Sequence, residues 1–120
     1  MASDELHYLT GLEAGQRIRS GEFSSAELTQ AMLTRIEKLD AELHSYATVL
    51  PESAMAEAAE ADAALAKGEN RGPLHGVPLA VKDLIAMKHV RTSAGMPILR
   101  NRITDHDATV VTRLRAAGAV

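Results

Sequence analysis

One lysine stands where a short apolar run ends. Residues 72–83 read G-P-L-H-G-V-P-L-A-V-K-D, and Lys82 follows Val77, Leu79, Ala80 and Val81. Gly72, Pro73, Gly76 and Pro78 punctuate the approach. A strongly hydrated ammonium is out of place at the end of a buried strand. Three chemistries fit it: a desolvated general base, a Schiff-base amine, or a fixed positive charge for an anionic ligand. A fourth reading is structural, an ion pair with Asp83 or another carboxylate. The residues alone leave these four open.

The other candidates are weaker. The histidines are His7, His44, His75, His89 and His106. No two have helical ligand spacing, so no metal site is expected. His75 sits in a Gly/Pro turn and is expected to bond to backbone there, ahead of any catalytic role. Ser93 lies in T-S-A-G-M, which is not the G-x-S-x-G nucleophile elbow, so loop hydrogen bonding is expected of it. Phosphate-binding glycine fingerprints are absent, and no cofactor is expected. Cysteine is absent too, which excludes disulfides, thiol nucleophiles and thiolate metal sites.

The elements that must position Lys82 come from a chain of 120 residues, enough for one domain at most. Aromatic residues are 2%, so Ala, Leu, Val, Ile and Met must build the core. The net charge of −3 gives no electrostatic reason to expect nucleic acid. No apolar run approaches the roughly 18 residues of a membrane span. The polar, acidic start M-A-S-D-E-L-H is unlike a signal peptide, and cytoplasmic residence is expected.

Thr10 with Glu13, and Ser24 with Glu27, match capping boxes. The first predicts a short helix with Leu12 and Ile18 inward, stopping near Gly21. The second predicts a helix burying Leu28, Met32, Ile36 and Leu39. Residues 45–50 read as a strand. Pro51 opens a third helix reaching about Lys67, with Met55, Ala58 and Leu65 as contacts. The stretch after Asp83 reads as loop, with Thr92, Ser93 and Gly95 needing polar contacts or special geometry. Asp105 or Asp107 is placed to cap a last helix with Val110, Val111, Leu114 and Ala117 inward. Ala119 and Val120 resemble the first step of another strand. A fully buried strand over residues 77–81 needs neighbours on both sides, so the chain reads as a fragment of a larger fold.

The order of G-P-L-H-G-V-P-L-A-V-K-D, R-T-S-A-G and D-A-T-V-V-T-R-L-R-A-A-G-A-V resembles the amino-terminal part of the amidase signature family. R-S-G-E-F-S-S-A-E-L-T, R-I-E and A-E-A-D-A-A-L-A-K-G-E match its style upstream. The resemblance runs from about Leu9 to Val120. It implies an α/β fold, a mixed β-sheet core with helices on both faces, of which residues 1–120 form an incomplete amino-terminal portion. It also implies amide hydrolysis by a Ser–cis-Ser–Lys triad with Lys82 as the base, both serines belonging to a segment downstream of Val120. Some members carry serine where Met96 stands.

A lysine base must be neutral to accept a proton, whereas an ordinary lysine, pKa about 10.4, is protonated at neutral pH. Burial and hydrogen bonds suited to the neutral amine would correct that, whereas a carboxylate neighbour would oppose it. Asp83 is therefore expected to point away from the Lys82 amine, toward backbone or a helix start. The implied partner is a small-molecule amide, with no direct nucleic-acid or membrane contact and a homodimer of the full-length protein left open. A general amidase is read ahead of the related subunit of a glutamine-dependent tRNA amidotransferase. A non-catalytic binding or assembly module is the reading from another class. Residues 1–120 alone are expected to be inactive.

Overall fold

Local capping decides where the first helices begin. The computed structural model describes residues 6–120. After a 3-10 turn at Leu6–Tyr8, α1 spans Gly11–Ser20. Thr10 Oγ1 accepts the Glu13 amide at 3.2 Å and Glu13 accepts the Thr10 amide at 2.8 Å, closing the expected box. Helix α2, Ser25–Leu43, starts with the same exchange between Ser24 and Glu27, at 3.0 and 2.7 Å. Those bonds hold the Glu13 and Glu27 carboxyls below the usual carboxylate range, the partner's backbone amide contributing most. Helix α3 spans Pro51–Ala66, with proline in the first turn where no amide is needed.

The chain divides into two compact units, Met1–Leu79 with Ala117–Val120, and Ala80–Ala116. In the first, Leu6, Ala14, Ile18, Phe23, Leu28 and Val77 form the core, flanked by Leu9, Ala31, Met32 and Leu65. Leu12, expected inward, is 56% exposed. Ala14 and Gly15 lie one turn before Ile18 and share its face, whereas Leu12 is six residues away and points elsewhere. Ala58, Ala61 and Ala64 are the buried positions of α3, and α2 packs against this helix. Met32, Ile36, Leu39, Met55 and Leu65 are half-buried.

Two close approaches fix the turn before Lys82. A Cβ on Gly15 would lie 1.9 Å from the Pro73 carbonyl oxygen, so only glycine lets α1 approach that backbone. Gly76 has φ 77°, and its carbonyl accepts the buried Ser25 hydroxyl at 2.6 Å. Beyond it, Val77 O accepts from Val120 N at 2.9 Å and Leu79 N donates to Val120 O at 2.8 Å. These two bonds straddle Pro78 in the pattern of a parallel rung.

The expected mixed sheet does not appear among the described residues. Four helices and two 3-10 turns supply the regular structure there. The segment 45–50 is not a strand: the Ser45 and Tyr46 amides bond the Asp40 carboxylate at the end of α2, at 2.6 and 3.3 Å, instead of a neighbouring strand. The segment 77–81 is not a fully buried strand either. Val77 is buried, but Leu79 is 41% exposed and Ala80 is exposed. Among the described residues, the amides of Ala80, Val81 and Lys82 meet no protein acceptor, so nothing continues the ladder.

In the second unit, isolated bridges pair Lys88 with Thr104 and Arg91 with Ile103. A 3-10 turn covers Pro97–Leu99 and α4 spans Thr109–Ala116. Neither Asp105 nor Asp107 plays the expected capping role. Asp105 contacts the His106 ring at 2.8 Å. Asp107 accepts the Lys88 amide at 2.7 Å and faces Arg115 at 3.5 Å. In α4 the Val111 side chain is buried and Val110 is exposed.

Candidate active site around Lys82

Asp83 has the strongest local geometry in this region. The Ser93 amide donates to its Oδ1 at 3.0 Å and the Ser93 hydroxyl donates to its Oδ2. The Ala94 amide donates to the Asp83 carbonyl at 3.0 Å, and Gly95 N donates to Ser93 Oγ at 3.4 Å. The Ser93 hydroxyl, followed by its amide, holds the Asp83 carboxyl below the usual range, with smaller help from Gly95 and the Arg91 charge. Asp83 thus points at a backbone turn, as expected. Among the described residues the Lys82 amine forms no ion pair, with Asp83 or any other carboxylate.

Lys82 itself is exposed in this chain. Leu79 and Ala80 beside it are exposed too, so the expected apolar wall around the amine is not formed by the described residues. The Lys82 carbonyl accepts from Ile85 N at 2.9 Å, which turns the chain sharply after the lysine.

The remaining candidates are occupied elsewhere. His75 is 3% exposed. Its Nε2 faces the Ala61 carbonyl at 2.9 Å and its Nδ1 accepts the Arg71 amide at 3.2 Å. A carbonyl partner requires the proton on Nε2, so both ring nitrogens are satisfied by backbone. Ser93 is buried and its hydroxyl proton is committed to Asp83, which makes it a loop residue and not a nucleophile. Among the described residues no group of three or more metal-ligating side chains occurs. No described helix is long and apolar enough to cross a membrane.

Sequence reasoning singled out Asp83 and Ser93 separately and did not join them. The nine residues between them hold turns and two bridge positions, Lys88 and Arg91, and no spacing rule connects residues so separated.

The family model for amidases matches residues 27–120. The chain belongs to the amidase family, the class to which its resemblance pointed. It is 50% identical over 117 residues to AmiD of Mycobacterium tuberculosis, which carries an amidase name, covering 98% of this chain and 25% of that protein. It is also 50% identical over 115 residues to a glutamyl-tRNA(Gln) amidotransferase subunit of Methylococcus capsulatus, covering 96% of this chain and 24% of that one. Among solved structures it matches the peptide amidase of Stenotrophomonas maltophilia with TM-score 0.85 and 42% identity, over 92% of this chain and 23% of that one. The chain therefore spans about a quarter of the length of these relatives.

Proposed function

We propose that residues 1–120 are the amino-terminal part of a cytoplasmic enzyme that cleaves carboxamide C–N bonds, with Lys82 as general base. The carrying observation is the division of labour at the K-D pair. Asp83 is engaged by Ser93, and Lys82 has no carboxylate partner among the described residues. That leaves the amine available to a hydroxyl. In the complete protein the rest of a mixed sheet, with helices on both faces, would cover the segment 79–82 and desolvate the amine. The proton of a nucleophilic serine then passes through a second serine, in the cis conformation, to Lys82. The serine oxygen attacks the amide carbonyl, the nitrogen leaves as the amine with a proton returned to it, and water hydrolyses the acyl-enzyme. Neither of those serines is assigned within this chain. The substrate is a small-molecule amide and no cofactor takes part.

The test is Lys82→Ala in the full-length protein, with ammonia or amine release as readout. Loss of turnover with an unchanged unfolding midpoint is expected; retained turnover rejects the reading. The amidotransferase relative, equal in identity to AmiD, favours one second reading, amidotransfer of glutamine nitrogen to a charged tRNA. Hydrolysis of simple amides without tRNA selects the first reading over the second.

A further inference from the structure

Five hydrogen bonds converge on the corner that carries Lys82. Ile85 N donates to the Lys82 carbonyl at 2.9 Å and Ala94 N to the Asp83 carbonyl at 3.0 Å. Ser93 donates its amide, at 3.0 Å, and its hydroxyl to the two Asp83 carboxylate oxygens. Gly95 N donates to the Ser93 hydroxyl oxygen at 3.4 Å. Main chain and side chain of residue 83 are thus both held by the turn at residues 93–95. Ser93 is 9% exposed, so water is poorly placed to replace its hydroxyl.

We propose that Asp83 and Ser93 are positioning residues for Lys82: the Ser93 hydroxyl keeps the neighbouring carboxylate turned away from the lysine amine and fixes the backbone from which that amine projects. This rests on the reading of Lys82 as base. The physical reason is competition. A carboxylate one residue away that loses its hydroxyl donor gains an incentive to turn to the nearest cation, and a paired ammonium is a worse proton acceptor. The sequence places that carboxylate beside the lysine in every state of the chain, so only a fixed partner keeps the two apart.

The experiment compares Ser93→Ala, Ser93→Thr, Ser93→Ala/Asp83→Asn and Lys82→Ala in the full-length protein, with kcat and KM for a simple amide. Ser93→Ala should lower kcat about tenfold with KM changed less than about twofold. Ser93→Thr, which keeps the hydroxyl, should restore most of it. The decisive variant is the double one. Removing the freed charge with Asp83→Asn should raise kcat severalfold above Ser93→Ala. A purely structural role gives the opposite, a double variant as slow as Ser93→Ala or slower, and that result overturns the proposal. If Ser93→Ala does not fold, Ser93→Cys takes its place: an intermediate kcat supports the idea and an unchanged kcat overturns it. Lys82→Ala separates the layers. Turnover surviving in that variant refutes the base assignment itself, whereas its loss together with an unimproved double variant refutes only the positioning role.

Discussion

The carboxylate of Asp62, in α3, accepts the backbone amide of Ser25, the first residue of α2, at 2.7 Å; its other oxygen takes the Ala26 amide at 3.0 Å. The capping box meets the other two, the Ser24 hydroxyl accepting Glu27 N at 3.0 Å and the Glu27 carboxylate accepting Ser24 N at 2.7 Å. All four donors that a helix leaves open at its start are therefore met. One side chain does two jobs, capping α2 and tying α3 to it, and the negative charge sits at the favourable end of the helix dipole.

Asp62→Ala should therefore destabilise the protein by about 1–2 kcal/mol. Asp62→Asn, which retains one acceptor oxygen, should cost less. Urea unfolding checks the order, and hydrogen exchange at Ser25 and Ala26 checks the place. Unchanged protection of those two amides in Asp62→Ala would refute the capping role.

Gly15→Ala tests the closeness of α1 to the 72–76 turn. The added methyl would meet the Pro73 carbonyl oxygen at 1.9 Å, so backbone must move. A cost of about 1–3 kcal/mol is expected despite alanine's better helix propensity. A thermal midpoint at or above that of the parent would show that the contact is looser than this geometry.

His75→Ala removes the donor to the Ala61 carbonyl and the acceptor for the Arg71 amide, both in a buried place. Leaving two backbone groups unmatched should cost about 2–4 kcal/mol. Chemical denaturation measures it. A loss below about half a kcal/mol would mean that water reaches the site.

The Asp83–Ser93 contact carries a pH signature. The folded-state pKa of Asp83 is depressed, chiefly by the Ser93 hydroxyl and then by its amide. A depressed carboxyl contributes stability above its unfolded-state value, near 3.9, and loses it as pH falls through the folded one. The stability gap between parent and Ser93→Ala should therefore be open at pH 6 and narrow as the pH falls below about 4. A gap independent of pH between 6 and 2 would dissociate the serine from the carboxylate.

Residues 1–120 alone should release no ammonia from a panel of simple amides, since the proposed base lacks its hydroxyl partners there. Ammonia release above background by the purified chain would overturn the division of the site between this segment and the rest of the enzyme.

Much of the helical frame was legible because its signals are local. Thr10 and Glu13, Ser24 and Glu27, and Pro51 each act within one turn, and the helices start where those residues require. The apolar spacing of α2 found Leu28 for the same reason. The errors fall where a partner distant in sequence decides. Residues 45–50 have strand composition, yet Asp40 takes two of their amides. Residues 77–81 have the composition of a buried strand, but burial requires neighbours, and Val120 supplies one rung. Asp107 has the type and position of a cap, yet the Lys88 amide and Arg115 claim it.

By itself the order of residues determined the family, the helix starts and the lysine of interest, since motif identity and capping are written within a few consecutive positions. Only the folded chain decided which donors each carboxylate meets. Asp62 lies 37 residues from Ser25, and Asp83 lies 10 from Ser93. A hydrogen bond operates over about 3 Å of space and is indifferent to separation along the chain.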